Sequence, residues 1–173
     1  MKRVKTLVEQ AFHIRLAERQ DVDIIFNFIK ALADYEKMSD EVVATPESLE
    51  KSLFDDKHAE VLIGERDGKA VGFALFFHNY STFLGKAGIY LEDFFVLEDE
   101  RGKGYGKALF QEVAKIAVAR DCERMEWSCL DWNKPSIQFY ESQGAVGMTD
   151  WTVHRLSGET LKKYGGDAYD TNY

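Results

Sequence analysis

The sequence predicts an α/β domain with a mixed sheet, and three observations lead there. Apolar residues recur at helical spacing near the start, the middle alternates between β-like runs and tight turns, and the last third alternates strand and helix. The chain has 173 residues, 45% hydrophobic and 30% charged, enough to bury a core under a solvated surface. One domain over residues 1–173 is expected, with a core at about 13–156 and a tail at 157–173.

Asp21 reads as the N-cap of a helix running to about Glu36, whose buried stripe is Ile25, Phe28, Ile29 and Leu32. Thr45 and Pro46 open a second helix through Leu49 and Leu53, a cap followed by a first-turn proline. From Ala59 the period changes. Glu60 to Glu65 and Lys69 to Phe77 flank Arg66-Asp67-Gly68, and the Asp-Gly pair predicts a hairpin. Ile89 to Val96 is a third β-like stretch. A helix from Tyr105 to about Arg120 follows, burying Leu109, Val113, Ile116 and Ala117. Met125 to Leu130 reads as a strand, Pro135 to Gln143 as a short helix, and Trp151 to Leu156 as a last strand.

Thirty acidic against twenty-two basic residues give a net charge of −8, which disfavours nucleic acid and anionic membrane as partners. The longest nearly uninterrupted apolar run, Val71 to Phe77, is far short of the roughly 20 residues of a membrane helix. Glu9 and Gln10 interrupt the basic start before any long apolar region, so a cytoplasmic protein without a secretory signal is expected. Cys122 and Cys129 form neither a disulfide framework nor a zinc pattern. His13, His58, His78 and His154 share no metal-ligand spacing, so no metal is expected.

The segment richest in chemistry is Arg101-Gly102-Lys103-Gly104-Tyr105-Gly106, between the third strand and the helix. Glycines at alternate positions let successive N–H groups face one anion; the helix N-terminus adds partial positive charge, and Arg101 and Lys103 add full charges. A diphosphate cradle and a tight structural turn are equally compatible with these glycines alone. The spacing is neither that of the dinucleotide fingerprint nor that of the P-loop.

Further on stands Asp131-Trp132-Asn133-Lys134-Pro135-Ser136-Ile137-Gln138-Phe139-Tyr140-Glu141. With these residues the sequence resembles the GCN5-related N-acetyltransferase (GNAT) superfamily, whose cofactor motif [RQ]-x-x-G-x-[GA] is filled by Arg101, Gly104 and Gly106. Tyr90 to Val96, and Trp132-Asn133 with Pro135-Ser136-Ile137 and Phe139-Tyr140, look like the diamine (spermidine/spermine) and thialysine acetyltransferase branch. The resemblance runs from about His13 to Arg155. It implies a mixed, mostly antiparallel central sheet flanked by helices, with a splayed central strand pair. Acetyl-CoA would lie with its pyrophosphate on the N–H groups of Gly102, Lys103, Gly104, Tyr105, Gly106 and Lys107. Its pantetheine would pair with the backbone of Phe94, Phe95 and Val96 like an added strand. Asn133, Lys134, Pro135 and Ser136 would hold its far end, alongside Tyr140.

The implied reaction moves an acetyl group from a thioester to a primary amine by direct attack while both substrates are bound. An alkyl ammonium with a pKa near 10.4 must first lose a proton, and Glu92 is the candidate base by chemistry and by resemblance. The family uses a tyrosine, here Tyr140, as the acid that meets the leaving thiolate. Tyr35, Glu36, Asp93, Glu126 and Asp150 are candidate contacts for a small cationic acceptor, a diamine or a lysine-like amino acid. Tyr35 and Glu36 also suit an exposed helix end, Glu126 a solvent-facing strand position, and Asp150 is the weakest of the set. Ser81 to Lys86 departs from the polyamine enzymes, which carry an acidic residue and a tryptophan hereabouts, so a short diamine or lysine analogue is favoured over long polyamines. A homodimer is implied, with the last strand reaching the partner's site. The rivals are a protein N-terminal or lysine acetyltransferase, and a non-catalytic acyl-CoA-binding module.

Overall fold

A computed structural model describes residues 12–166, which form two compact units, one ending at Ser128 and one beginning at Cys129. In the first unit, β1 (Phe12–Leu16), β2 (Glu60–Arg66), β3 (Lys69–Ser81), β4 (Lys86–Val96) and β5 (Met125–Glu126) form one sheet in that spatial order. The first three pairings are antiparallel and the last, β4 with β5, is parallel. The helices are α1 (Val22–Tyr35), α2 (Pro46–Glu50) and α3 (Tyr105–Ala119) in this unit, and α4 (Lys134–Ser142) and α5 (Gly158–Gly165) in the second.

The elements form for local reasons that the sequence displays. The β2–β3 turn is Asp67-Gly68 with φ of 52° and 75°, the left-handed pair of a type I′ hairpin. Thr45 accepts from Ser48 N at the start of α2, with Pro46 in the first turn. Asp21 does precede α1, but its carboxylate does not cap the helix. Arg15 donates to both of its oxygens, at 2.6 and 2.8 Å, and Glu18 N donates at 2.7 Å. This half-buried ion pair ties the start of α1 to β1 and holds the Asp21 carboxyl below its ordinary range.

α1 lays Ile25 and Phe28 on the sheet face formed by Val61, Ile63, Phe73, Leu75 and Phe95. α3 covers the other face. Leu109 fits over the cross-strand pair Gly64 and Gly72, where an added Cβ would come within 3.3 and 3.1 Å of its Cδ1. The two glycines therefore seat the helix whose N-terminus follows the glycine loop.

One irregularity in β4 governs the site. Leu75 pairs with Asp93, yet Phe76 pairs with Leu91, so Glu92 is an extra residue in a β-bulge. Side chains normally alternate between faces along a strand, and a bulge reverses that parity. Leu91, opposite Phe76, faces α3. Asp93 and Phe95, opposite Leu75 and Phe73, face α1, while Phe94 meets Phe110 of α3.

Two expectations about strands are corrected, and one strand is added. Met125 to Leu130 is a strand only at Met125–Glu126, because its ladder with β4 ends there. Trp151 to Leu156 is not a strand: these residues are exposed and no strand follows β5 among the described residues, so the segment has no ladder to supply its backbone hydrogen bonds. β1 was not anticipated, although Phe12-His13-Ile14-Arg15-Leu16 alternates apolar and polar residues. The expected tail begins with α5, a helix without buried residues, and the residues after 166 lie outside those described. Among the described residues no helix is long and apolar enough to cross a membrane.

Candidate active site

The loop from Arg101 to Gly104 ends on the N-terminus of α3. Gly102 and Gly104 have φ of 76° and 86°, a region where a Cβ is costly, and nothing lies within 4 Å of where that Cβ would stand. No side chain caps α3. Open space over the glycines and uncapped N–H groups at a helix start fit an anionic ligand. Gly106 differs: a Cβ there would meet Phe94 and Val96 at ordinary contact distances of 3.7 and 3.8 Å. Gly104→Ala is therefore expected to weaken binding of the acetyl-CoA that the resemblance implies by about five- to thirtyfold, the equivalent of a backbone cost of about 1–2 kcal/mol. Gly106→Ala should leave it within about twofold by titration calorimetry.

The two cations expected to serve the diphosphate are turned back onto the protein. Lys103 Nζ donates to Asp99 O at 3.0 Å and to Glu100 at 2.9 Å, and Glu100 also takes Arg66 at 2.8 Å. Arg101 Nε donates to Val96 O at 3.0 Å, with its guanidinium over the rings of Tyr35 and Phe95. The anion-binding capacity of the loop is thus mainly backbone. Tyr105 is half-buried and stacks on Phe12 at 4.3 Å, and Lys107 is exposed.

Beside the loop, β4 and β5 part. Their ladder holds Ile89 with Met125 and Tyr90 with Glu126. β4 then runs on through Phe94, Phe95 and Val96, still paired with β3, while Trp127 swings onto Phe110 of α3 with ring centroids 5.3 Å apart. Tyr90 Oη reaches Ser128 Oγ at 2.8 Å beyond the last ladder pair.

Three carboxylates gather at the bulge. Glu92 is exposed. Asp93 is largely buried, and burial first, then the charges of Glu92 and Glu36, pushes its pKa from 3.8 up to about 6. Glu36, at the C-terminal end of α1, is also raised by burial. The structure therefore brings Tyr35, Glu36, Glu92 and Asp93 together from segments distant in sequence. Glu126 is engaged elsewhere: its carboxylate accepts from Asn79 Nδ2 at 2.8 Å and forms an ion pair with Arg124 at 3.0 Å.

The second unit carries the remaining candidates. Buried Asn133 caps α4, its Oδ1 accepting from Ser136 N at 3.3 Å, and Lys134 and Pro135 form the exposed first turn. Tyr140 is half-buried on α4, edge-on to Phe139 at 5.4 Å. Asp150 is exposed in a turn. Among the described residues no group of three or more His, Cys, Asp or Glu is arranged to hold a metal ion.

Comparison with known proteins follows the same lines. The Acetyltransferase (GNAT) family matches residues 25–145. The chain is 35% identical to a thialysine N-epsilon-acetyltransferase of Bos taurus, over 88% of this chain and 96% of that protein. It is 32% identical to an L-ornithine N5-acetyltransferase of Arabidopsis thaliana, over 86% of each. Its fold matches that of an aminoglycoside N-acetyltransferase in complex with CoA with a TM-score of 0.72, at 18% identity, covering 87% of this chain and 98% of the other.

Proposed function

The chain belongs to the acetyltransferase (GNAT) family and has its fold, and on that premise we propose that it transfers an acetyl group from acetyl-CoA to the primary amine of a small cationic acceptor. The observation that carries this reading is the parting of β4 from β5 beside the open glycine loop, with Glu92 and Asp93 at the bulge. The diphosphate would rest on the N–H groups of residues 102–107, and the pantetheine would run along Phe94 to Val96 on the edge that β5 leaves. Asn133 and the first turn of α4 would hold the pantetheine end.

At neutral pH only about one alkyl amine in a few thousand is unprotonated, so removing the proton is the first task. Glu92 takes it, directly or through water, as the amine nitrogen attacks the thioester carbon. The C–N bond forms, the C–S bond breaks, Tyr140 supplies a proton to the departing thiolate, and the second nitrogen proton, lost as the amide forms, restores the Tyr140 hydroxyl. No covalent enzyme intermediate is required. Asp93 and Glu36 supply negative charge for a second cationic group on the acceptor. Asp93 as the base is a second reading, favoured by its burial and its pKa of about 6; the rate would then rise through about pH 6 and lose that rise in Asp93→Asn.

The acceptor class is supported by the relatives, whose names specify thialysine and ornithine, both carrying a short chain ending in an amine. Free-thiol release from acetyl-CoA should respond to ornithine, lysine or thialysine and to putrescine, and weakly to spermine or a lysine-bearing peptide. Preference for the peptide would move the activity to protein acetylation. Tight acetyl-CoA binding without turnover on any of these would favour the binding module.

We also propose a homodimer working in the cytosol. Val146, Met148, Trp151, Val153 and Leu156 are all more than half exposed, a sequence-local run of large apolar side chains that a second copy would cover. Equilibrium sedimentation at the concentration of the assay reads the mass directly, and a monomer there overturns the proposal.

A further inference from the structure

Arg101 opens the glycine loop, and its charge by sequence alone belongs to the bound diphosphate. Its side chain lies elsewhere. The guanidinium carbon is 4.7 Å from the centroid of the Tyr35 ring and 5.2 Å from that of Phe95, while Nε donates to Val96 O at 3.0 Å. Tyr35 and Phe95 are themselves in ring contact, with centroids 6.2 Å apart. Three elements meet at this one side chain: the last residue of α1, the end of β4, and the first residue of the loop. Glu36, the acid of the α1 end, is the residue next to Tyr35.

We infer that Arg101 is a positioning residue that couples the two halves of the site. Lying over Tyr35 and tied to Val96 O, it fixes the start of the cofactor loop relative to the helix end that presents Glu36. The inference rests on the reading of residues 102–107 as the acetyl-CoA site. A planar guanidinium can stack on a ring and donate in its own plane at once, which the compact ammonium of a lysine cannot do. A ligand that orders the loop therefore also orders the end of α1. By reciprocity, an amine held at the end of α1 tightens the loop on acetyl-CoA by the same factor.

The test uses CoA, which binds without reacting, titrated calorimetrically into the wild type, Tyr35→Leu, Tyr35→Phe, Arg101→Met and the Tyr35→Leu/Arg101→Met double variant. Loss of an exposed cation–ring contact predicts that Tyr35→Leu and Arg101→Met each weaken CoA by about two- to fivefold. Tyr35→Phe keeps the ring and should stay at the wild-type value. The double variant should bind as the Arg101→Met single does, because both changes remove one contact. Rescue by Phe and absorption of the Tyr35 effect are outcomes that general loosening of the fold does not produce. Unchanged CoA affinity in Tyr35→Leu, or a double variant showing the product of both effects, overturns the coupling. A wild type that does not bind CoA overturns the acetyl-CoA reading itself, an outcome distinct from the other two.

Discussion

Replacing Glu92 by Gln is expected to lower the rate of acetyl transfer near neutral pH by a factor of about 10²–10⁴, the span usual for a positioned general base. Glutamine keeps the shape and hydrogen-bonding reach of the side chain but has no site for the proton. The deficit should shrink as pH rises, because each pH unit below the ammonium pKa of about 10.4 brings roughly tenfold more free amine. Acetyl-CoA affinity should hardly change, since Glu92 is exposed at the bulge and the cradle is backbone. Tyr140→Phe is expected to cost less, about tenfold to a hundredfold, because a thiol with a pKa near 8.5 is a fair leaving group even unprotonated. Full activity in both variants, assayed by thiol release, would sink the mechanism.

The second large effect concerns stability and runs in the opposite direction. Asp93→Asn should make the free protein more stable above about pH 6, by about 2–3 kcal/mol, while impairing amine binding. Folding raises the Asp93 pKa from 3.8 to about 6, so between those values the folded protein holds a proton that the unfolded chain has released. Stability therefore falls as pH rises through that window, and the full cost of an ionised, buried Asp93 stands above it. Asparagine carries no such cost. A cationic acceptor would offset it in the wild type, so the wild type should gain more thermal stability from a bound diamine than the variant does. Melting temperatures for both proteins at about pH 4 and about pH 8, with and without putrescine, check the sign; equal stabilities at the higher pH would refute it.

The architecture was legible where the signal is local. The stripe of Ile25, Phe28, Ile29 and Leu32 gave α1, Asp67-Gly68 gave the hairpin, and the glycines before Tyr105 gave the loop. What stayed hidden depends on partners distant in sequence. Met125 to Leu130 has strand composition throughout, but where its ladder with β4 ends is a property of both strands. The bulge at Glu92 exists only as a mismatch between β3 and β4, and neither strand shows it alone. Arg101 was read by charge and neighbourhood, whereas its contacts lie with Tyr35 and Phe95, on other elements. The acids were identified by residue type. That Glu36 and Asp93 meet while Glu126 is tied to Arg124 and Asn79 is again a matter of tertiary pairing.

The extra residue at Glu92 also acts as a shift of reading frame written into a strand. Upstream, Leu91 is read toward α3; downstream, Asp93 and Phe95 are read toward α1. Paired without a bulge at unchanged length, the strand would set Glu92 opposite Leu75, and every later side chain would shift one place and change face. Asp93 would be carried away from Glu36, Phe95 from the core under α1, and the Arg101 stack would lose one of its two rings. The faces downstream are therefore set by pairing and not by residue count: a lineage that lost Glu92 would lose the bulge and its carboxylate yet keep Asp93 opposite Leu75 and Phe95 opposite Phe73.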